Sequence, residues 1–89
     1  MNKTVVITGA SSGIGAAFAH ILAARGYSLI LTGRRTDALA ETADACRAAQ
    51  EADGTIEERI IELADRTAAE QFAEELRSRT DITGLINNA

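Results

Sequence analysis

From its N-terminus the chain alternates short apolar runs with longer segments whose apolar residues recur every three or four positions. Lys3-Thr4-Val5-Val6-Ile7-Thr8 predicts a first strand. Ile14, Ala17, Phe18, Ile21 and Leu22 follow the i, i+3, i+4, i+7, i+8 spacing of a helix over residues 13–25, which should lay that stripe against a sheet. Gly26 is the expected C-terminal stop, with Arg25 in the last turn, where the helix dipole favours a cation. Tyr27-Ser28-Leu29-Ile30-Leu31-Thr32-Gly33 is too short for a helix and reads as a second strand. Thr36 can cap a second helix over residues 37–50, with Leu39, Ala40, Ala43, Cys46 and Ala49 facing inward. Residues 51–55 are polar and lead to a third strand at 56–64, whose charges at 57, 58, 59 and 62 suit a sheet edge. A third helix over residues 67–79 places Ala69, Phe72, Ala73 and Leu76 on one face and pairs Glu75 with Arg79 at i, i+4. Residues 82–87 form the fourth strand.

Strand, helix, strand at these lengths is a βαβ unit, which crosses over right-handed and makes its strands parallel neighbours. The fold class is therefore α/β, a Rossmann-like doubly wound parallel sheet with four strands in the order 3-2-1-4 and three helices. The fourth strand would then be an apolar edge, a kind of edge that invites pairing.

Composition narrows the picture. Eighty-nine residues make one domain at most, and a hydrophobic fraction of 46% with 3% aromatics leaves Val, Ile, Leu and Ala to build a small core. The net charge of −4 argues against nucleic-acid or anionic-membrane partners. Cys46 has no second thiol for a disulfide or metal site, so it reads as a small buried apolar residue and fits a reducing compartment. No apolar run is long enough to span a bilayer and no signal-peptide pattern opens the chain, so the expected location is cytoplasmic. His20 lies off the apolar stripe with no spaced partner and is expected at the surface.

The chemistry concentrates between the first strand and first helix, in Thr8-Gly9-Ala10-Ser11-Ser12-Gly13-Ile14-Gly15. Glycines there let backbone approach a phosphate, and the free N–H groups of a helix N-terminus point at it. The G-x-x-x-G-x-G spacing departs from the G-x-G-x-x-G dinucleotide fingerprint. It resembles instead the cofactor loop of the short-chain dehydrogenase/reductase family. That resemblance implies pyrophosphate binding at Gly9, Ser11, Ser12, Gly13, Ile14 and Gly15.

Arg34 and Arg35 follow the second strand, about 20 residues past the last loop glycine, where a dinucleotide fold reads the adenine ribose. An acidic residue there would accept from the 2′-hydroxyl of NAD. A guanidinium instead donates charge-assisted hydrogen bonds to a 2′-phosphate, so the pair favours NADP over NAD; the resemblance implies Arg34 first and Arg35 second. Asp65 follows Leu63-Ala64. The resemblance implies that it bonds the adenine amino group. It could equally cap the third helix, although Thr67-Ala68-Ala69-Glu70 offers a capping box of its own. Asn87-Asn88-Ala89 resembles the start of the family's Asn-Asn-Ala-Gly motif, which implies that Asn87 and Ala89 support the sheet and border the cofactor ribose.

The resemblance spans all 89 residues but only the front of the family's domain. It implies an NADP-dependent oxidoreductase moving a hydride between nicotinamide and a small carbonyl or alcohol substrate, with a homo-oligomer common among members. The family's Tyr-x-x-x-Lys motif is not here: the one tyrosine, Tyr27, is followed four residues later by Leu31. No catalytic residue and no metal ligand is assigned, and these residues alone are expected to be the inactive front part of a longer enzyme. The alternative is a non-catalytic nucleotide-binding module or truncated pseudoenzyme that works through protein contacts.

Overall fold

Parallel strands with apolar residues pointing to both faces must be covered on both sides, and the first two strands here are. In the computed structural model, which describes residues 3–11, 13–50 and 54–88, β1 (Thr4–Thr8) and β2 (Ser28–Gly33) are buried along their whole length. Around them run α1 (Gly13–Ala24), α2 (Thr36–Ala49), β3 (Ile56–Ile60), α3 (Arg66–Arg77) and β4 (Ile82–Asn87). The sheet order is β3-β2-β1-β4, with every pairing parallel. Val5, Ile7, Leu29 and Leu31 pack on α1 and α2, whereas Val6 and Ile30 pack on Phe72 of α3. The helices on both faces and the strand order are those of the Rossmann-like sheet expected from the sequence.

α1 turns a different face to the sheet from the one its periodicity suggests. The buried residues are Gly15, Ala19 and Ala23, with Leu22 half-buried beside them. Ile14, Phe18 and Ile21 are 65%, 42% and 49% exposed, and Ala17 is exposed as well. Successive helical residues are rotated by about 100°, so shifting the buried stripe from 14/18/21 to 15/19/23 turns the helix by roughly one residue. Small side chains let the helix approach closely, and the glycine loop fixes its start. The helix ends at Ala24, one residue before the expected Arg25. Gly26 takes a left-handed φ of 89°. Its N–H donates to Ala23 O (3.0 Å) and the Tyr27 N–H donates to Leu22 O (3.2 Å), so the expected glycine stop is present.

α2 begins at Thr36 itself, with Arg35 in the cap position and no side-chain cap bond; the Ala38 N–H donates to Asp37 Oδ1 at 2.9 Å. Its buried face is Leu39, Thr42, Ala43 and Cys46. Ala40 and Ala49 are only half-buried, and Thr42, which the apolar pattern omits, is accommodated by donating from Oγ1 to Ala38 O. Cys46 is fully buried, and burial pushes its thiol pKa up, as suits an inert core residue.

β3 is shorter than predicted and ends at Ile60. It lies at the sheet edge, and its charges tie it to both helical layers. Arg47 of α2 reaches Glu58 at 3.0 Å on one face, and Arg59 pairs with Glu75 of α3 at 2.8 Å on the other. The predicted Glu75–Arg79 pair therefore does not form. Arg79 lies beyond the end of α3 and holds Asp81 at 2.7 Å and Glu57 at 3.0 Å. The Arg79 guanidinium, helped by the Thr4 hydroxyl at 2.7 Å, keeps the Asp81 carboxyl well below the usual carboxylate range. Ala73 is exposed, leaving Phe72 and half-buried Leu76 and Ala69 as the inner side of α3. β4 forms the other edge of the sheet, with Leu85 exposed. Among the described residues no helix is long and apolar enough to cross a membrane.

Candidate functional site

Since all four strands run parallel, their C-terminal ends open on one side. The chain goes from β1 outward to β2 and β3, then returns to place β4 on the other flank of β1. In open α/β sheets a ligand crevice forms where the strand order reverses in this way. A groove of about 420 Å³ lies along these ends, walled by Gly9, Ser11, Thr32, Gly33, Arg34, Ile61, Glu62, Leu63, Ala64 and Asn88. Small-molecule sites are typically about 300–1,000 Å³.

The β1–α1 loop shapes one wall. Gly9 and Gly13 adopt left-handed φ angles of 64° and 61°, which L side chains rarely adopt. Gly15 has an ordinary φ but no room. A Cβ there would run into the Gly9 carbonyl oxygen and stand 2.8 Å from Asn88 Nδ2. A Cβ on Gly33 would lie 3.3 Å from Ser11 Cβ, so that glycine leaves room for the Ser11 side chain. The Ala10 N–H donates to Thr32 O (3.0 Å) and ties the loop to β2. The loop then enters α1, whose first turn carries no acidic side chain to neutralise the positive end of the helix dipole.

Thr8 joins this loop to the end of β4. Its hydroxyl donates to Asn87 Oδ1 at 2.9 Å and accepts from the Asn88 N–H at 3.0 Å, while Asn88 Nδ2 donates to Gly9 O at 3.4 Å. Of the residues singled out in the sequence, Gly9, Ser11 and Arg34 line the groove together. Gly13, Ile14 and Gly15 form the first turn of α1 behind it. Arg35 turns into the N-cap of α2, and Asn87 is occupied with Thr8. Ser12 and Ala89 lie outside the described residues.

Asp65 is the N-cap of α3. Its Oδ1 accepts from the Thr67 N–H at 3.0 Å and the Ala68 N–H at 3.2 Å. Glu70 pairs with Arg66 at 3.0 Å, so the alternative capping box at Thr67 is not used. Asp65 does not line the groove but an adjoining shallow hollow with Arg59, Phe72 and Glu75, which shares Ile61 and Glu62 with it.

The opposite wall is formed by residues 61–64, for which the sequence predicts strand. β3 stops at Ile60, although the Ile61 N–H still donates to Gly33 O at 2.9 Å, and the chain then turns across the strand ends. Glu62 opens this turn, its carbonyl accepting from the Asp65 N–H at 2.9 Å. It faces Arg34 across the groove mouth, Oε2 to Nη1 at 3.4 Å. The Thr32 hydroxyl, also at the wall, is buried with no hydrogen-bond partner among the described residues. Among the described residues no three His, Cys, Asp or Glu side chains gather as a metal site would require.

The family model for short chain dehydrogenases matches residues 3–89. The chain belongs to that family. An uncharacterized oxidoreductase of Staphylococcus saprophyticus is 35% identical over 89 residues, which are 99% of this chain and 37% of that protein. A short-chain dehydrogenase from Sphingobium yanoikuyae, solved in complex with NADPH, shares 38% identity at a TM-score of 0.88, over 98% of this chain and 33% of that one. An NAD+-bound xylitol dehydrogenase shares 25% identity at a TM-score of 0.84, over 98% of this chain and 33% of that one. The chain thus spans about a third of the length of the curated relatives it matches. Short-chain dehydrogenases are oxidoreductases, and structural neighbours of this chain hold nicotinamide dinucleotides of both kinds.

Proposed function

We propose that residues 1–89 are the front part of a single dinucleotide-binding domain in an NADP-dependent short-chain oxidoreductase acting on a carbonyl or alcohol substrate. The supporting observation is the cradle at the strand ends: two left-handed glycines, a third whose Cβ would meet the loop backbone, an unopposed helix N-terminus, and Arg34 on the wall of the same groove. The fit is to a diphosphate at one place and to an additional anion at the other.

Gly9, Ser11 and the first turn of α1, with Ser12 beside them in sequence, would hold the pyrophosphate. Arg34 would hold the 2′-phosphate, and Asn87, Asn88 and Ala89 would border the cofactor ribose. When bound, the nicotinamide ring supplies hydride chemistry at C4. The contribution of these residues is to bind and orient it. With no Tyr-x-x-x-Lys in the 89 residues, the proposal includes that this polypeptide alone does not turn over substrate. A reducing cytoplasmic setting suits its single buried thiol.

Asp65 is assigned to the helix cap in preference to the adenine. Asp65→Asn keeps a good N-cap and should leave nucleotide affinity and stability nearly unchanged, whereas Asp65→Ala should cost about 1 kcal/mol of stability in urea unfolding. A marked affinity loss in the Asn variant at unchanged stability would restore the adenine role.

Calorimetric titration of the polypeptide with NADP+, NADPH, NAD+ and NADH tests the main reading. Tighter binding of the phosphorylated pair is expected. Equal affinities would remove the NADP preference, and no binding of any of the four would overturn the site.

A further inference from the structure

Arg34 is the one cation and Glu62 the one anion among the described residues that wall the groove. They come from different segments, the β2–α2 connection and the β3–α3 connection, and meet at its mouth. Arg34 Nη1 donates to Glu62 Oε2 at 3.4 Å, with the side chains 74% and 48% exposed. The Glu62 carboxylate is itself positioned by the backbone: Oε1 accepts from the Ala64 N–H at 3.0 Å, and the Asp65 N–H donates to Glu62 O at 2.9 Å. Glu62 is thus an anion held by backbone on a tight turn, facing a guanidinium on a long, exposed stem.

We propose that Glu62 determines cofactor preference by competing with the 2′-phosphate for Arg34. This inference rests on the reading that the groove binds a nicotinamide dinucleotide. To engage a 2′-phosphate, the guanidinium must give up or share its existing carboxylate partner, and the incoming phosphate stands beside a like charge. A neutral ribose diol encounters no such opposition. Glu62 therefore narrows the advantage of NADP over NAD that Arg34 alone would give. An exposed pair of this geometry is individually weak. Like-charge opposition to a doubly charged phosphate adds to it, and the effect is confined to one of the two cofactors.

Glu62→Gln keeps the acceptor for Ala64 N–H and the side-chain shape while removing the charge. It should tighten NADP+ and adenosine 2′,5′-bisphosphate about three- to tenfold by calorimetry and change NAD+ and 5′-AMP by less than about twofold. Glu62→Asp, which withdraws the charge by one methylene, should fall between wild type and Gln. In an Arg34→Ala background the Gln substitution should lose most of its effect, because the competition needs both partners. Unchanged or weakened NADP+ binding in the Gln variant, at an unchanged unfolding midpoint, would overturn the role of Glu62. So would an equal gain for NAD+, or a gain that persists without Arg34. Failure of the wild-type chain to bind either dinucleotide would instead sink the cofactor reading itself, so the two failures are distinguishable.

Discussion

Gly15→Ala is expected to cost about 1–3 kcal/mol of stability and to abolish measurable dinucleotide binding. The added methyl would meet the Gly9 carbonyl oxygen and the Asn88 side-chain amide. The first of these is backbone, so no rotamer change relieves the contact, and overpacking of this kind usually costs about that much. Either α1 moves off the sheet, opening the Ala19 and Ala23 contacts behind it, or Gly9 moves, distorting the groove wall and the 3.4 Å Asn88–Gly9 bond. Gly13→Ala provides the contrast. A Cβ there has open space within 4 Å but would sit at a φ of 61°, so its cost is conformational, about 1 kcal/mol, and local. Urea unfolding and NADP+ titration of both variants separate steric from conformational demand. Retained stability and affinity in Gly15→Ala would mean that close approach at this turn is not what shapes the site.

The difference between these two glycines also marks how far sequence could reach. The glycine loop and the strands were legible because local pattern governs them: β1 and β2 have apolar centres, Val5-Val6-Ile7 and Leu29-Ile30-Leu31, and glycine spacing follows the sharpness of a turn, while the strand order follows from the crossover rule for such units. The face that α1 buries was not legible, because it is set by approach distance rather than hydrophobicity. Gly15, Ala19 and Ala23 are weaker apolar residues than Ile14, Phe18 and Ile21, yet they face inward because the loop pins the helix close to β1. The partner of Arg79 was misread for a related reason. Spacing of four residues suggested Glu75, but α3 ends at Arg77, so Arg79 is free to hold Asp81 and Glu57, while Glu75 meets Arg59 from β3. Glu62 was passed over as one more edge-strand charge; only tertiary placement shows that the chain has turned there and brought it to Arg34. Position along the chain does not by itself rank Arg34 against Arg35; only the family resemblance puts Arg34 first. The structure separates them, one into the groove wall and the other into the cap of α2.

That separation sets the size and selectivity of the second expected result. Arg34→Asp should weaken NADP+ binding about a hundredfold while changing NAD+ binding by no more than a few-fold. Hydrogen bonds to charged groups are worth about 1.5–3 kcal/mol. Losing such an interaction with a 2′-phosphate corresponds to roughly a ten- to hundredfold loss, and a carboxylate beside Glu62 adds repulsion. The same carboxylate can accept from a ribose hydroxyl, so NAD+ has no comparable loss. Arg35→Asp is the matched control. It makes the same charge change one residue away, but at the α2 N-cap, where aspartate is a favourable residue and the helix dipole welcomes its charge. It should therefore keep or raise stability and affect the two cofactors far less. Net charge falls equally in both variants, so general electrostatic repulsion of an anionic dinucleotide cancels from their comparison. What remains is the local chemistry of the groove. If Arg34→Asp weakens NADP+ and NAD+ equally, or no more than Arg35→Asp does, the guanidinium does not read the phosphate, and cofactor preference must come from residues on the opposite wall.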